Sequence, residues 1–337
     1  MKLHQICAAA GLTAALAVTS AIAQEETAED SKRFTAERVF DIEYATNPQI
    51  SPDGKTIIYV RHSMDRMTDR DTGHLWIIDI ESGAQRPLLG VGGSAGAPSW
   101  SPDGSRVLYT STASGKPELK LVYMDTGLSY SLAQFTESPS GATWSPDGRN
   151  IAFSMFVPGD KPGFATPPKQ PEGAKWADPV KVIDDLTFRF DGAGYLEDGA
   201  DQVFVLPAEG GTPRQVTTGE ADMGGQAWLD NDTLLVTGNL ADDRDMDPIE
   251  SEIYSVELSN LQITPLTSRD GPDFAATPAP DGRSIAFLGY DDELKSYQQN
   301  HLYVMGPDGS GVRELLSGFP GSPGQMGTGW QKPLHAV

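Results

Sequence analysis

The sequence is poor in cysteine, in basic residues and in long apolar stretches, and each shortage argues against a class of protein. Cys7 is the only cysteine among 337 residues, so the chain beyond it can form no disulfide and no cysteine-based metal site. The 25 Lys and Arg residues are outnumbered by 47 Asp and Glu residues, which gives a formal charge of −22. We therefore expect no nucleic-acid partner, because general affinity for nucleic acid or anionic lipid requires clustered basic side chains.

The N-terminus is the one strongly apolar segment, and it is predicted to be a secretory signal peptide of residues 1–23. Lys2 supplies the positive start, an apolar run that includes Cys7 follows, and Ala21-Ile22-Ala23 fits the cleavage pattern of small residues. A buried N-terminal helix is less favoured, because the acidic run after Gln24 offers it nothing to pack against. No later stretch is long enough to span a bilayer, so we expect an exported protein, periplasmic or secreted, without a membrane span.

Glycine and proline are abundant, with 36 and 25 residues, and four of each belong to a repeated turn motif of the form Ser-Pro-Asp-Gly. Each copy is followed by an apolar, strand-like segment, and the first residues of the copies are separated by 50, 44, 84 and 50 positions. The complete and weaker copies are Ser51-Pro52-Asp53-Gly54, Ser101-Pro102-Asp103-Gly104, Ser145-Pro146-Asp147-Gly148, Leu229-Asp230-Asn231-Asp232 and Ala279-Pro280-Asp281-Gly282.

The motif predicts a tight turn between two strands. Proline fixes φ, aspartate bonds its own backbone, and glycine takes the position with positive φ. A second hairpin follows most copies, so the repeating unit has four strands in about 45 residues, the size of a propeller blade. The interval of 84 residues corresponds to one blade plus an insertion of about 40 residues. We therefore predict an all-β fold, a β-propeller of four-stranded blades with five recognisable blades.

These turns and their closing strands resemble the β-propeller repeats of the TolB translocation protein and the propeller domain of the prolyl oligopeptidase family. The closing strands are Leu132-Ala133-Gln134-Phe135-Thr136, Arg214-Gln215-Val216-Thr217 and Thr264-Pro265-Leu266-Thr267. Two further segments resemble exported acylaminoacyl-peptidases and dipeptidyl-peptidases. Residues 33–41 are similar to the segment that leads into their propellers, and residues 181–195 are similar to an arm inserted in one of their propeller hairpins.

The resemblance also implies parts that this sequence does not show. Those peptidases have seven or eight blades and an α/β-hydrolase domain with a Ser, Asp and His site. We therefore expect an incomplete seven- or eight-bladed ring, from a truncated or frame-shifted peptidase gene, that is open, marginally stable or prone to aggregate. The expected segments are a signal peptide at 1–23, an N-terminal lead-in at 24–45, a TolB-like propeller at 46–316 with an insertion at about 157–200, and an aberrant C-terminal tail at 317–337.

No catalytic residue is predicted in the chain. Gly92-Gly93-Ser94-Ala95-Gly96 matches the Gly-x-Ser-x-Gly pattern, but a proline and a turn follow it, whereas a nucleophile elbow requires a helix there. His74 and His301 open the equivalent strand of their blades, which favours a structural role. His62 and His335 show no convincing pairing with a serine and a carboxylate.

Carboxylates are the remaining candidates for binding. The loop from Asp242 to Glu252 alternates acidic residues as a calcium loop does, but Pro248 replaces the required glycine and Tyr254 the final glutamate, so a solvated loop is favoured. We expect no metal site and no cofactor. In dipeptidyl-peptidases of the family, the propeller arm carries acidic residues that hold the substrate's amino terminus. The resemblance implies such a role for Asp184, Asp185 and Glu197.

The expected function is that of a substrate-gating propeller of an exported prolyl oligopeptidase-type serine peptidase. Peptide substrates would be cleaved by the missing catalytic domain, and this chain alone should hydrolyse nothing. The alternative is a TolB-like periplasmic propeller that binds a protein partner on one face and has no enzymatic activity. A third possibility, a lactonase-type enzyme, needs Glu, Asn and Asp metal ligands around the central channel, and no such set can be assigned from the sequence.

Overall fold

Strands dominate the computed structural model, which describes residues 34–90, 93–159, 168–177, 182–183 and 185–324. The signal-peptide prediction, Asp184 and His335 lie outside the described residues. The chain divides into two units. The small unit comprises the residues up to Tyr44 and the segment His62–Thr72, and the large unit comprises Ala45–Arg61 and everything from Gly73 onward.

Within the described residues, twenty of the strands form five four-stranded sheets, which confirms the prediction of an all-β propeller with five four-stranded blades. The strands of blades 1 and 2 are β1 (Glu43–Ile50), β2 (Thr56–Asp65), β3 (Arg70–Asp79), β4 (Gln85–Pro87), β5 (Ala95–Trp100), β6 (Arg106–Ser111), β7 (Glu118–Tyr123) and β8 (Ser129–Gln134). Those of blade 3 are β9 (Ser140–Trp144), β10 (Asn150–Pro158), β13 (Gly199–Pro207) and β14 (Arg214–Gln215).

The strands of blades 4 and 5 are β15 (Met223–Trp228), β16 (Thr233–Gly238), β17 (Glu252–Glu257), β18 (Ile263–Pro265), β19 (Asp273–Pro278), β20 (Ile285–Gly289), β21 (His301–Met305) and β22 (Arg313–Glu314). A separate two-stranded ribbon of β11 (Arg189–Phe190) and β12 (Gly194–Tyr195) lies in the connection between β10 and β13. The blades are the repeating units that the turn motif predicted, because each motif joins the first and second strands of one sheet.

The turn motif is held by its serine as well as by its proline and glycine. The Ser101 hydroxyl donates to Asp103 Oδ1 (2.6 Å) and accepts the Arg106 N–H (2.9 Å). The Ser101 bond, followed by bonds from the N–H and the hydroxyl of Ser105, lowers the pKa of Asp103 to about 2. Ser51 and Ser145 make the same two bonds in their blades. Because the carboxylate form is favoured, this stabilisation is complete above pH 3.8 and is lost as the pH falls toward 2.

We expect Ser101→Ala to destabilise the protein by about 1–3 kcal/mol, because it leaves the Arg106 N–H without its partner in a site where Ser101 is fully buried. The measurement is the urea midpoint of unfolding. Blade 5 provides the control, since Ala279 already lacks the hydroxyl and Asp281 accepts only the Arg283 N–H from this turn. Ala279→Ser should leave stability unchanged or raise it. Equal midpoints for Ser101→Ala and the wild type would contradict the assigned role of the serine.

The apolar core lies between consecutive blades. Four clusters of buried side chains join blades 1 and 2, 2 and 3, 3 and 4, and 4 and 5. In the cluster between blades 2 and 3, the fully buried Phe153 ring lies between Phe135, at 5.1 Å, and Phe204, at 5.6 Å. Burial of one large apolar side chain contributes about 1.5–3 kcal/mol to the free energy of unfolding. Because these side chains are buried between blades, each blade is stabilised chiefly by contact with its neighbours.

A tryptophan ladder adds a polar link between blades. In blades 2, 3 and 4 the residue before the motif is a tryptophan whose indole N–H donates to a carbonyl of the preceding blade: Trp100 to Gln49, Trp144 to Ser99 and Trp228 to Thr143, at 3.2–3.3 Å. The acceptor is always the residue two positions before the preceding blade's motif. The hydrogen bond between neighbouring blades is therefore repeated with the same period as the sequence motif.

A left-handed residue interrupts the first strand of every blade. It stands four positions before the first residue of each motif, and its φ lies between 47° and 60°. The five residues are Asn47, Ala97, Gly141, Gly225 and Ala275. In blades 2 to 5 the register with the second strand shifts at this point, as in a β-bulge. This left-handed position was not predicted, although a small residue or asparagine at a fixed distance from each motif is a visible signal in the sequence.

Residues 320–324 pack against blade 5. Ser322 Oγ accepts the Asn300 N–H at 2.9 Å, and Asn300 Nδ2 donates to the Pro323 carbonyl at 3.3 Å. The equivalent bond in blade 3 runs from the Asp201 N–H to Asp222 Oδ1. Asp222 immediately precedes the first strand of blade 4. Ser322 therefore contacts blade 5 in the same way as Asp222 contacts blade 3.

Candidate functional site

Each blade of the large unit has two distinct ends. The turn end carries the motif turns, and the loop end carries the connections between second and third strands and the connections to the next blade. The second-to-third-strand connections of blades 2 to 5 are residues 112–117, 159–198, 239–251 and 290–300. The insertion predicted from the interval of 84 residues is the second of these connections, and we refer to it as the arm.

The two ends differ in the ionisation of their carboxyl groups. At the turn end, serine hydroxyls lower the pKa of Asp53, Asp103 and Asp147. At the loop end of blades 3 to 5, burial raises the pKa of Asp201, Glu250, Glu252 and Asp273. Neighbouring carboxylates raise these values further, for example Asp222 beside Asp201. Groups with displaced pKa values concentrate at functional sites, so the loop end of blades 3 to 5 is the candidate functional site.

Acidic side chains lie close together at the loop end of blades 3 to 5, and few basic side chains are paired with them. Glu250 accepts the Gly271 N–H at 2.9 Å, and Glu220 pairs with Arg244 at 3.3 Å. The loop 239–251 also carries the acidic residues that resemble a calcium loop, and most of them are exposed. Among the described residues, no group of three or more His, Cys, Asp or Glu side chains could hold a metal ion. The arrangement can attract a cation such as an ammonium group by its field.

The arm presents an exposed apolar ribbon on the same end. Arg189 pairs with Tyr195 and Phe190 with Gly194, and the Leu196 N–H donates to the Phe188 carbonyl at 2.9 Å. Phe190 is 58% exposed, and large apolar residues along the arm are exposed to a similar degree. An isolated two-stranded ribbon is at most marginally stable in water, so its apolar side chains are suited to contact another molecule.

The residues predicted to hold an amino terminus lie on this arm where they are described. Asp185 is exposed four positions before β11, and Glu197 is exposed two positions after β12. Asp184 lies outside the described residues. The role of all three remains a prediction.

The serine of the elbow-like pattern lies in a connection between blades. Ser94 immediately precedes β5, and its hydroxyl accepts the Gly73 N–H at 3.2 Å. A strand therefore follows Ser94 where a nucleophile elbow has a helix. Gly92 lies outside the described residues.

Two of the described histidines, His301 and His62, are paired with carboxylates. His301 Nδ1 lies 2.9 Å from Glu314 Oε1 on the neighbouring strand β22. His62, in the small unit, lies 2.9 Å from Asp71 Oδ2 and is stacked on the Tyr44 ring at 4.5 Å. Sequence analysis missed this pairing with a carboxylate, because the residues meet only when β1, β2 and β3 align. The third member of the group is Tyr44, whose hydroxyl donates to Asp71 at 2.5 Å, so a serine nucleophile does not complete it.

A cleft of about 290 Å³ lies between blades 1 and 2 in the large unit. Two pairs of polar side chains contact each other at its walls: the Tyr109 hydroxyl lies 2.5 Å from Ser129 Oγ, and Lys120 lies 3.7 Å from Glu118. His74 also lines the cleft. In the described part of the chain, no helix is long and apolar enough to cross a membrane.

Comparison with known proteins supports the family resemblance. The family described as TolB beta propeller domain matches residues 42–161. The "Uncharacterized peptidase YuxL" of Bacillus subtilis (strain 168) is 26% identical over 215 residues, which cover 64% of this chain and 32% of that protein. This chain therefore corresponds to about a third of the length of that curated relative.

Solved structures show the same fold at low identity. An acylaminoacyl peptidase of Pyrococcus horikoshii has a TM-score of 0.63 and 14% identity, over 85% of this chain and 41% of that one. The β-propeller domain of the Trilobed protease from Pyrococcus furiosus has a TM-score of 0.53 and 15% identity, over 82% of this chain and 73% of that one. These likenesses confirm the predicted propeller fold.

Proposed function

We propose that this TolB-like β-propeller, whose homologues are peptidases, is the substrate-gating part of an exported serine peptidase of the prolyl oligopeptidase type that acts on peptides. The observation that carries the proposal is the 26% identity to a Bacillus subtilis peptidase over 215 residues. Hydrolysis is assigned to an α/β-hydrolase domain with a Ser, Asp and His site, and the propeller selects and orients peptides. The signal peptide predicted for residues 1–23 supports a periplasmic or secreted location.

The loop end of blades 3 to 5 supplies suitable chemistry for this task. A peptide with a free amino terminus carries an ammonium group, which exposed carboxylates attract through their field. Asp185 and Glu197 are exposed on the arm, where the apolar ribbon can contact the side chains of a peptide. Asp184 is assigned to the same role. Charge would then guide the amino terminus, and apolar contact would contribute to affinity.

The test compares the wild-type chain with the double variant Asp185→Asn/Glu197→Gln. We expect binding of a short fluorescent peptide with a free amino terminus to weaken about fivefold, because two exposed charge pairs contribute about 1 kcal/mol together. Binding of the N-acetylated peptide should not change. Fluorescence anisotropy at low and at high salt provides the measurement.

The control variant Asp125→Asn/Glu81→Gln removes the same two charges from exposed positions at the turn end. It should leave the affinity for both peptides as in the wild type. Equal weakening by the two double variants, or equal binding of the free and acetylated peptides, would contradict recognition of the amino terminus by the arm. The same samples should release no cleaved peptide, and turnover by the chain alone would contradict the assignment of hydrolysis to a separate domain.

The second candidate function is that of a TolB-like propeller that binds a protein partner and has no enzymatic activity. The match of residues 42–161 to the TolB propeller family favours it. The peptide experiment separates the two functions. Absence of any binding to short peptides favours the TolB-like function, because a docking surface for a folded protein needs a larger area than a peptide covers.

A further inference from the structure

The junction between blades 4 and 5 buries an ion pair with incomplete hydrogen bonding. Asp273, the first residue of β19, is fully buried, and its Oδ1 lies 3.4 Å from Arg269 Nε. This distance permits an ion pair, but neither oxygen of Asp273 accepts a hydrogen bond of good geometry from the residues that the structure describes, and the nearby Thr267 hydroxyl only weakly favours the ionised form. Burial of a charge without such bonds is costly, and a carboxyl group at such a site is favoured in its neutral form.

The repeat shows that this carboxyl group is a departure from the pattern of the other blades. Asp273 stands six positions before the first residue of its motif, and the residues at the same distance from the other four motifs are Ala45, Ala95, Pro139 and Met223, so propeller packing does not require an acid there. In blade 5 the carboxyl group is packed against Gly289, where any added side chain would collide with Asp273 Oδ1. The site therefore holds an aspartate in a space that other blades fill with neutral side chains.

Charged and titratable groups face Asp273 from every adjoining element. Arg269 also lies 3.4 Å from Asp291 Oδ1, after β20, and its guanidinium is stacked 4.0 Å from the centre of the Tyr303 ring on β21. Glu252 on β17 accepts the Thr267 hydroxyl and is repelled by Glu250. The remaining groups around the junction are Asp270, Asp292 and His301, the last paired with Glu314.

We propose that Asp273 and Arg269 form a proton-operated latch, which holds blades 4 and 5 together when Asp273 is neutral and loosens when Asp273 ionises. In the neutral state the buried carboxyl group carries no charge, and Arg269 remains paired with Asp291 over the Tyr303 ring. In the ionised state an incompletely bonded carboxylate faces Glu252 and Asp291, which repel it. The Asp273 N–H donates to the Ser251 carbonyl at 2.7 Å, and this backbone bond joins blade 5 to blade 4. Ionisation of the Asp273 side chain therefore acts directly on the junction of the two blades.

The direction of the pH dependence follows from the burial. Burial raises the pKa of Asp273 from 3.8 to about 7, against the opposing effect of Arg269. A raised pKa contributes stability that is complete below 3.8 and is lost as the pH rises through about 7. Opening of the junction should therefore be about tenfold more favourable at about pH 8.5 than at about pH 6.

Hydrogen exchange of the full chain, corrected for the intrinsic effect of pH on exchange, tests the latch. Protection of residues 251–256 and 273–278 should fall about tenfold between about pH 6 and about pH 8.5 in the wild type. Asp273→Asn, which resembles the neutral acid, should remove this dependence. Asp291→Asn removes an exposed partner of the same arginine and should retain it.

A second variant covers the case in which Asp273→Asn does not fold. Asp273→Ala introduces the residue that blade 2 has at the equivalent position, Ala95, and it should also give pH-independent protection. Wild-type protection that does not change with pH, or a change that persists in both Asp273 variants, would overturn the latch. The outcome does not depend on peptide binding, so the latch and the proposed function fail independently.

Discussion

Trp144→Ala should lower the free energy of unfolding by about 3–5 kcal/mol, the cost typical of removing a large aromatic side chain from a core. Trp144 is 7% exposed in the cluster between blades 2 and 3, and its indole N–H donates to the Ser99 carbonyl at 3.3 Å. Its ring also supports the Arg106 guanidinium, 4.9 Å from the ring centre. The substitution leaves a cavity, a Ser99 carbonyl without its indole donor and an arginine without its aromatic contact.

Urea unfolding of three variants separates these contributions. Trp144→Phe keeps an aromatic ring and loses the N–H donor, so it should cost about 1–2 kcal/mol. Trp176→Ala removes the same side chain from the arm, where it is 50% exposed, and should change stability by no more than about 0.5 kcal/mol. The assigned role of the tryptophan ladder would be wrong if Trp144→Ala unfolded at the wild-type midpoint, or if Trp176→Ala cost as much.

Gly141→Ala should destabilise the protein by about 2–3 kcal/mol, although it adds only one methyl group. Gly141 has φ of 60°, a conformation that costs an L-residue about 1–2 kcal/mol. The added Cβ would also lie 2.7 Å from Gln226 Nε2, which donates to the Ser140 and Gly141 carbonyls and so joins blades 3 and 4. Strain in the bulge and disturbance of this contact add together.

Gly224→Ala is the matched control in the equivalent strand of blade 4. Gly224 has no positive φ, and the nearest atom to its added Cβ is 3.9 Å away, so the change should cost no more than about 0.5 kcal/mol. The reverse substitution Ala97→Gly relieves a residue with φ of 47° and should raise stability by up to about 1 kcal/mol. Equal urea midpoints for Gly141→Ala and Gly224→Ala would contradict the role of the bulge.

The blade repeat could be predicted because its information is local. A Ser-Pro-Asp-Gly turn satisfies its own hydrogen bonds within six residues, as the bonds around Ser101 show, so the same letters produce the same hairpin in each blade. The length of the insertion followed from the spacing of the motifs. The tryptophan ladder could not be predicted in the same way, because the carbonyl that accepts the Trp144 N–H lies 45 positions earlier in the sequence.

The candidate site was predicted only in part for the same reason. Asp185 and Glu197 could be selected by residue type and by resemblance to a propeller arm, and their roles remain predictions. The raised pKa of Asp273 could not be predicted, because it results from burial between two blades and from repulsion by Glu252, which together outweigh the opposing effect of Arg269. The acidic composition of the chain was visible in the sequence, but the sequence did not show which carboxyl groups are buried away from water.

The sequence by itself determined the all-β propeller, its five four-stranded blades and the position of the arm, because turn chemistry and strand periodicity act over a few residues. Only the tertiary structure decided which side chains are buried at the junctions between blades. It aligned Trp144 with Ser99, placed Gln226 against the bulge at Gly141 and enclosed Asp273 beside Arg269. These relations depend on the stacking of one blade on the next, and burial and charge proximity are properties of that stacking.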